Sequence, residues 1–484
     1  KEEVHFTIEV LDFIGKGEAE VEEYLQPANN EACNLEESPL IRATLLRRDN
    51  KEHLFFLSMH HIIGDGWSTE VLVSEVVENY NNLLNGNAKE DEILKEELAI
   101  QYKDYAVWLQ EEIKGEKYQK AEAYWLEQFE GELPVLELPS YKTRPLIQTY
   151  NGNNISHLFS KEFTEKLKRY SEKQGVTLFM TLMAGVKALL YRYTGQQDII
   201  VGTPIAGREH PDLENQIGLY LNTLAIRTRL EEEHNTFESL LKKEKEALLS
   251  AYEHQLYPFD ELVGKLNIKR DTSRSALFDV LVVFQNQGQL QIGNAQNNIE
   301  GLQVEGYDYH RKTSQFDVSY TFAEEGEQLG LTIEYNTDIY DEFLIQRMFA
   351  HFENLLIQAI ENTEDKGDKT GTTVIEEIDF LTEQERDQLL YGFNDTKVDY
   401  PSDKTIVQLF EEQVEKTPEN VAVQDLKTKI TYRELKEKSD RVANYLISNL
   451  EKNNGPVGVL VDRSAELIVL LLGILKSGKS YIPI

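Results

Sequence analysis

Cysteine is almost missing from this chain, since Cys33 is the only one among 484 residues. No disulfide bond can therefore form within the chain, and a reducing, cytoplasmic compartment fits best. Basic residues are also scarce, because 50 lysines and arginines face 85 aspartates and glutamates, for a formal net charge of -35. This acidic balance argues against nucleic acid or an anionic membrane surface as a partner.

Long apolar runs are missing as well. The longest, residues 467–472, spans six residues, whereas a membrane-spanning helix needs about 20, and no signal peptide is visible. No methionine starts the chain, and residues 1–10 alternate like a strand already under way, so we expect the chain to begin inside a domain. Together these absences predict a soluble protein of the cytoplasm.

Apolar residues are nevertheless plentiful. They make up 40% of the chain, with 24 Tyr and 20 Phe, and the length predicts two or three domains. Helical and strand-like patterns alternate, which indicates an α/β fold. They predict helices over 161–174 and 178–193, a strand over 198–201 and a Gly/Pro-rich loop over 202–208. A polar stretch at residues 362–373 marks a domain boundary.

The run MHHIIGDGWS, residues 59–68, is the segment most suggestive of chemistry. An apolar strand precedes it and a helical pattern follows, so its histidines lie where a strand ends and a turn begins. A side chain there is held by a rigid element and can still face a cleft, which suits a general base. Asp65 lies in the same turn, where its carboxylate can bond an imidazole or pair with a distant arginine.

Other interpretations of this run stay open. A histidine beside an apolar strand is often a buried core residue. A metal site is disfavoured, because His60 and His61 are adjacent and point to opposite faces of a strand. A second pattern, GILKSGKS at residues 473–480, formally matches the P-loop. We do not expect it to bind phosphate, because an apolar helix precedes it where a P-loop requires a strand.

Five motifs in order resemble the core motifs of the condensation domain of nonribosomal peptide synthetases, over roughly residues 1–372. They are MHHIIGDGWS at 59–68, YKDYAVW at 102–108, IGLYLNTLAIR at 217–227, HQLYPFD at 254–260 and RDTSR at 270–274. Two later segments, ITYREL at 430–435 and LKSGKSYIPI at 475–484, resemble the first two motifs of the adenylation domain. The second of these explains the P-loop lookalike.

The resemblance implies an α/β fold of two chloramphenicol-acetyltransferase-like lobes forming a V-shaped pseudo-dimer, plus a partial α/β adenylation subdomain. It divides the chain into an N-terminal lobe at 1–139, a C-terminal lobe at 140–372, a linker at 373–396 and an adenylation fragment at 397–484. The family's two earliest motifs are missing, so we expect the first lobe to be truncated at its start. The adenylation nucleotide loop and catalytic lysine are missing too, so no adenylation activity is expected.

The implied reaction is amide formation between a donor thioester and the amine of an acceptor aminoacyl thioester. Both groups would be held on phosphopantetheine arms by upstream donor and downstream acceptor carrier domains. The chain itself is expected to bind no cofactor and no metal. Alternatives are an epimerisation domain, a coenzyme A-dependent acyltransferase, or a catalytically silent docking platform of the same fold.

The resemblance also assigns roles to residues. His61 is expected to face the reacting atoms and position the amine, and His60 to pack in the scaffold. Asp65 is expected to hold the turn and to bridge the lobes by pairing with Arg208. The glycine at position 66 is expected to leave room for substrate.

Further residues of the motifs have milder expectations. Trp67 and Asn222 are predicted to line the tunnel, although capping of the backbone is equally open for Asn222. Tyr102, Tyr105 and Trp108 share one helical face, which favours packing over substrate contact. For Arg270 and Arg274, in a polar loop, a solvated position is expected.

Overall fold

A computed structural model describes residues 6–30, 33–37, 39–86, 98–230, 235–268, 271–285, 299–307, 312–364, 374–450 and 455–484. The chain forms two compact units, Lys1–Arg386 and Asp387–Ile484. The division between them falls inside the segment 373–396 that the sequence predicts as a linker. Arg270 and residues 369–373 lie outside the described residues.

The first lobe is built on a three-stranded sheet of order β1-β2-β3, in which β1 runs parallel and β3 antiparallel to β2. Its elements are β1 (Ile8–Asp12), α1 (Glu18–Asn30), β2 (Ile41–Arg47), β3 (His53–Met59), a 3₁₀ turn (His61–Ile63), α2 (Gly66–Leu84), α3 (Tyr102–Glu112) and α4 (Glu116–Gln128). The predicted strand before the histidines is β3, and the helical pattern after them is α2. The buried side chains of Ala121 and Trp125 on α4, and of Phe129 directly after it, already belong to the core of the second lobe.

The second lobe surrounds a six-stranded mixed sheet of order β4-β9-β8-β7-β5-β6. Its strands are β4 (Gly152–Leu158), β5 (Asp198–Ile205), β6 (Asn222–Arg229), β7 (Val280–Gln285), β8 (Val318–Glu325) and β9 (Gln328–Asn336). Its helices are α5 (Lys161–Gln174), α6 (Leu178–Thr194), α7 (Phe237–Glu253), α8 (Phe259–Lys265) and α9 (Glu342–Glu364). The α/β class predicted from the sequence is confirmed.

Helix α6 is the centre of this lobe. Its sequence is apolar on all sides, which is typical of a helix surrounded by protein, and every residue from Met180 to Tyr191 is buried. Gly185 allows α9 to approach, because a Cβ added there would lie 3.0 Å from the Phe352 ring. No single helix within the described ranges is long and apolar enough to cross a membrane, and α5 and α6 pass that test only as a pair bent by 104°.

Strand β5 is longer than predicted. The prediction ended it at Val201 and placed Pro204 in a loop, but the strand continues to Ile205. Pro204 is tolerated because β5 pairs with β7 only at Gly202, so no ladder bond on that side requires the missing N–H.

A charged side chain is enclosed within the core of the second lobe. The Lys187 ammonium, fully buried on α6, donates to both carboxylate oxygens of Glu244 at 2.9 and 3.0 Å and to the Thr228 hydroxyl at 2.7 Å. Burial lowers the pKa of Lys187, and the Glu244 carboxylate opposes this effect. The pair therefore depends on both partners, since either charge alone would be uncompensated.

We expect Lys187→Met to lower the free energy of unfolding by about 3–5 kcal/mol, because it leaves the Glu244 carboxylate buried without a counter-charge. The double variant Lys187→Met/Glu244→Gln removes that charge and should be more stable than the single variant. Urea unfolding followed by tryptophan fluorescence measures this, since all three tryptophans lie in the first unit. A loss below about 1 kcal/mol in the single variant would contradict a structural role for the pair.

The segment 374–386 is anchored on the second lobe by a buried histidine. His351 on α9 bonds the Tyr193 hydroxyl at 2.7 Å through Nδ1 and the Glu385 carboxylate at 2.8 Å through Nε2. Arg192 donates to the backbone carbonyl of Ile378 at 2.8 Å. These bonds attach the first half of the predicted linker to the second lobe.

The second unit contains its own small core. Its elements are α10 (Glu383–Asp387), which spans the division, a π-helical turn (Gln388–Gly392), α11 (Ile406–Lys416), β10 (Val421–Gln424), β11 (Lys429–Thr431), α12 (Tyr432–Asn449), β12 (Val457–Val459), α13 (Ala465–Lys476) and β13 (Tyr481–Pro483). The predicted capping box is present, since the Thr431 hydroxyl accepts from the Glu434 amide at 3.2 Å and the Glu434 carboxylate from the Thr431 amide at 2.8 Å. Residues 473–480 cover the end of α13 and the turn that leads to β13. This helix-to-strand order is the reverse of the order in a P-loop.

Candidate active site

The histidine motif occupies the turn between β3 and α2. His60 ends the extended backbone, and its Nδ1 accepts a hydrogen bond from the Ile62 amide at 3.1 Å, which caps the 3₁₀ turn. The ring of His60 is therefore engaged by the turn itself. This hydrogen bond depends only on the local sequence, because donor and acceptor are two residues apart.

His61 differs from its neighbour. It is exposed, and its imidazole makes no hydrogen bond or ion pair with any residue that the structure describes. Both ring nitrogens are consequently free to meet a substrate. The backbone of His61 is therefore held by the turn, while its imidazole remains without a partner among the described residues.

Asp65 is buried at the start of α2. Its Oδ1 accepts from the amide and hydroxyl of Ser68 at 2.8 and 2.7 Å, and its Oδ2 accepts from the Tyr220 amide at 3.1 Å. Arg208 donates to Oδ1 at 3.1 Å. Burial raises the pKa of the Asp65 carboxyl, but the hydrogen bonds from Ser68 and Tyr220 and the charge of Arg208 together hold it below its usual value.

Arg208 reaches Asp65 from the other lobe. Its side chain is 1% exposed, and it also donates to the Ser68 hydroxyl at 3.0 Å and to the carbonyls of Leu213 and Gln216 at 2.5 and 2.7 Å. Its guanidinium lies 4.2 Å from the centroid of the Tyr220 ring. The structure therefore brings together the pair that the resemblance predicts.

Glycine is required immediately before Arg208. Gly207 has φ +65, and a Cβ built there would lie 2.0 Å from the carbonyl oxygen of Tyr220. Only a residue without a side chain allows these two backbone segments to approach so closely. Gly207 thereby lets the arginine enter the bridge between the lobes.

Further hydrogen bonds join the lobes beside this pair. The Ser68 hydroxyl accepts from the Gly218 amide at 3.0 Å, and the Trp67 indole donates to the Glu214 carbonyl at 2.7 Å. We name Asp65, Ser68, Arg208 and Tyr220 the lobe bridge. Sequence reasoning missed Ser68, whose position at the third residue of α2 is typical of an ordinary N-terminal helix residue.

The two residues predicted to line the tunnel are placed differently. Asn222 uses both side-chain ends on backbone, because its Nδ2 donates to the carbonyls of Gln255 and Tyr257 at 2.8 and 2.9 Å and its Oδ1 accepts from the Phe259 amide at 3.2 Å. It still borders a cavity. Trp67 borders neither of the two large cavities formed by described residues.

The first large cavity has a volume of about 690 Å³ and lies next to the lobe bridge. Tyr102, Tyr105 and Trp108 of α3 and Tyr220 of the second lobe line it. Tyr102 and Tyr105 pack on Tyr220, and Trp108 packs on Tyr105. The expectation of simple packing for the α3 aromatics is incomplete, since all three also form a cavity wall. Aromatic residues at helical spacing are equally typical of core packing and of a cavity wall, because each requires one apolar helix face.

The second large cavity, of about 830 Å³, borders a buried ion-pair network. Arg274 is 14% exposed and donates to the Asp279 carboxylate at 2.5 Å and to the Leu136 carbonyl at 3.0 Å. The predicted solvated position of Arg274 is therefore wrong, because a carboxylate five residues on compensates its burial. Burial and the nearby Asp317 charge raise the pKa of Asp279.

No group of three or more His, Cys, Asp or Glu side chains within the described ranges has the arrangement of a metal site. The two histidines of the motif have separate tasks, since His60 is bonded to the turn and His61 is unengaged. The arrangement can therefore present one imidazole and a fixed turn to a substrate.

Comparison with known families shows to which family the chain belongs. The Condensation domain model matches residues 1–390, and the AMP-binding enzyme model matches residues 410–484. The chain belongs to the condensation domain family, followed by the start of an AMP-binding domain. Domains of this family form peptide bonds in nonribosomal peptide synthesis, by an acyltransferase-type reaction that yields an amide, and act with carrier-protein phosphopantetheine.

The curated relatives are much longer proteins. Gramicidin S synthase 2 of Brevibacillus brevis is 40% identical over 464 residues, which cover 96% of this chain and 10% of that protein. Bacitracin synthase 2 of Bacillus licheniformis is 39% identical over 450 residues, covering 93% of this chain and 16% of that protein. The chain thus spans between about a tenth and a sixth of the length of these relatives.

Solved structures share the fold. A four-domain nonribosomal peptide synthetase bound to AMP and glycine superposes with a TM-score of 0.82 at 19% identity, over 100% of this chain and 36% of that one. The first condensation domain of the calcium-dependent antibiotic synthetase, in complex with a substrate analogue, gives 0.59 at 20% identity over 78% of each chain. The two-lobed condensation fold expected from the motifs is thereby confirmed.

Proposed function

We propose that the first unit joins a donor acyl group to an acceptor amine, with both held as thioesters on the phosphopantetheine arms of carrier domains. The acceptor nitrogen attacks the donor carbonyl carbon, the carbon–nitrogen bond forms, and the carbon–sulfur bond breaks. The donor thiolate leaves and takes up the proton released by the amine. No ATP is consumed, because a thioester is already activated.

The exposed, unengaged imidazole of His61 on a turn held by the lobe bridge carries this proposal. An α-amine has a pKa of about 7.7–8.0, so roughly a tenth of it is unprotonated at neutral pH and little basicity is demanded. Holding two tethered substrates together lowers the activation barrier by about 7–11 kcal/mol. This effect is larger than that of a general base, which accelerates a reaction by about 10²- to 10⁴-fold. We therefore assign His61 to orienting the amine by a hydrogen bond.

We assign Asp65 to positioning rather than to proton transfer. Both of its carboxylate oxygens are occupied by Ser68, Tyr220 and Arg208, and the residue is buried, so it is not available to the reacting atoms. Its bond to the Ser68 amide instead caps the start of α2, which begins within the motif at Gly66.

Gly66 is the first residue of α2 and is exposed. It has no side chain to hinder a substrate, and an amide in the first helical turn has no partner within the helix. We assign this amide to the oxygen of the reacting carbonyl, where hydrogen-bond donors stabilise the developing charge.

Transfer between two carrier domains tests the proposed reaction. The full chain is mixed with one carrier bearing an aminoacyl donor and another bearing an acceptor, and mass spectrometry follows the acceptor. We expect a dipeptidyl group on the acceptor in the absence of ATP, and none when the acceptor amine is acetylated. Release of free donor acid with no dipeptide would contradict the proposal.

A further inference from the structure

The cavity beside the lobe bridge has an aromatic wall formed by four rings in contact. Tyr105 is central, because its ring centroid lies 6.0 Å from that of Tyr102, 5.7 Å from that of Trp108 and 4.7 Å from that of Tyr220. Leu256 and other apolar side chains complete the lining. A volume of about 690 Å³ is within the usual range for sites that bind small molecules.

Three carboxylates and one imidazole, that of His210, border this cavity. Asp104, Glu209 and Asp260 line it, and no lysine or arginine is among the lining residues. Asp104 caps α3 by accepting from the Gln101 amide at 2.9 Å, and Glu209 pairs with Lys117 at 3.4 Å. Asp260 is exposed on α8 and forms no hydrogen bond or ion pair with any residue the structure describes.

We propose that this cavity binds an organic cation, namely an ammonium group carried on an apolar body. The faces of aromatic rings attract a cation through their quadrupole. The Tyr220 ring already carries the Arg208 guanidinium at 4.2 Å, so Tyr102, Tyr105 and Trp108 are the rings assigned to the ligand, and the Asp260 carboxylate supplies a counter-charge at the border. An anionic ligand such as a phosphate would meet three carboxylates and no lysine or arginine among the lining residues. The proposal is independent of the condensation reaction, because binding needs neither carrier domain nor transfer.

Calorimetric titration of the full chain with 2-phenylethylammonium tests the charge preference. Its matched control is 3-phenylpropionate, which has a similar ring and tether and the opposite charge. We expect the ammonium compound to bind at least about tenfold more tightly than the carboxylate, with the difference reduced at high salt because salt screens charges near the surface. Equal affinities for the two compounds would overturn the proposal.

Variants locate the binding. Trp108→Ala is expected to weaken binding of 2-phenylethylammonium by about tenfold, since it removes one cation–π partner, and Asp260→Asn should weaken it as well. Val107→Ala and Glu261→Gln are the matched controls, because these exposed neighbours do not line the cavity, and they should leave affinity unchanged. Undiminished binding by Asp260→Asn would overturn the proposal even if Trp108→Ala alters the fold.

The source of the ammonium is decided by a second titrant. An ammonium on an apolar body can be a free amine or part of an aminoacyl group held by a carrier. The amide of phenylalanine with aminopantetheine keeps the free amine and adds the arm. Tighter binding of this compound supports a tethered aminoacyl group, and equal binding to 2-phenylethylammonium supports a free amine.

Discussion

Replacing His61 by alanine is expected to reduce dipeptidyl transfer between loaded carriers by at least about a hundredfold, the lower range of help from one positioned acid–base group. The fold should be retained, because the His61 ring is exposed and makes no bond with the described residues. His53→Ala is the matched control, since His53 is also exposed and lies at the start of β3, the strand that leads into the motif. Near-normal transfer by His61→Ala would refute its assignment.

A glutamine at position 61 separates positioning from proton transfer. His61→Gln retains a hydrogen-bonding group but cannot accept a proton at neutral pH. If His61 mainly orients the amine, His61→Gln should recover transfer to within about tenfold of the natural chain, the equivalent of one ordinary hydrogen bond. Equal loss in His61→Gln and His61→Ala would show instead that proton transfer or charge at the imidazole dominates.

Removal of Arg208 is expected to have the second large effect. Arg208→Ala leaves the Asp65 carboxylate buried without its counter-charge, so the free energy of unfolding should fall by about 3–5 kcal/mol. Because the lobe bridge holds the turn that carries His61, transfer should slow as well. Trp67 lies 5.9 Å from the guanidinium, so tryptophan fluorescence reports directly on the loss of the bridge.

A double-mutant cycle decides whether Asp65 and Arg208 act together. Asp65→Asn and Arg208→Ala should be non-additive by about 1–3 kcal/mol, because they remove the same interaction. Arg227→Ala is the control, since Arg227 pairs with Asp198 at 3.0 Å within the second lobe. Asp65→Asn and Arg227→Ala should be additive within about 0.5 kcal/mol. Additivity of the first pair would contradict coupling across the lobes.

The pKa of Asp65 gives the same bridge a pH dependence. Its folded value lies below the usual 3.8, so the carboxylate contributes stability that is fully present above that value and is lost as pH falls through the folded one. The difference in stability between the natural chain and Asp65→Asn should therefore narrow only below about pH 4. The bridge is consequently intact throughout the neutral range.

Local structure around the site could be predicted from the sequence by itself. The apolar strand ending at Met59, the helix after Asp65 and the capping box of Thr431 and Glu434 all follow from neighbouring residues. The hydrogen bonds of the helix start and of the capping box join atoms three or four residues apart, so cap chemistry determines them, and the apolar pattern indicates the strand. The ordered motifs add the family, and with it the two lobes.

The tertiary structure decided everything that depends on residues far apart in the chain. Asp65 and Arg208 are separated by 143 positions. The placement of Asn222 on backbone and of Arg274 on the Leu136 carbonyl, 138 positions away, depends on how the lobe packs. The cavity wall likewise arises only where α3 meets Tyr220. A polar side chain that becomes buried must find a partner, because an unpaired charge or amide inside the protein costs several kcal/mol. The sequence contains no local sign of which distant group will be that partner.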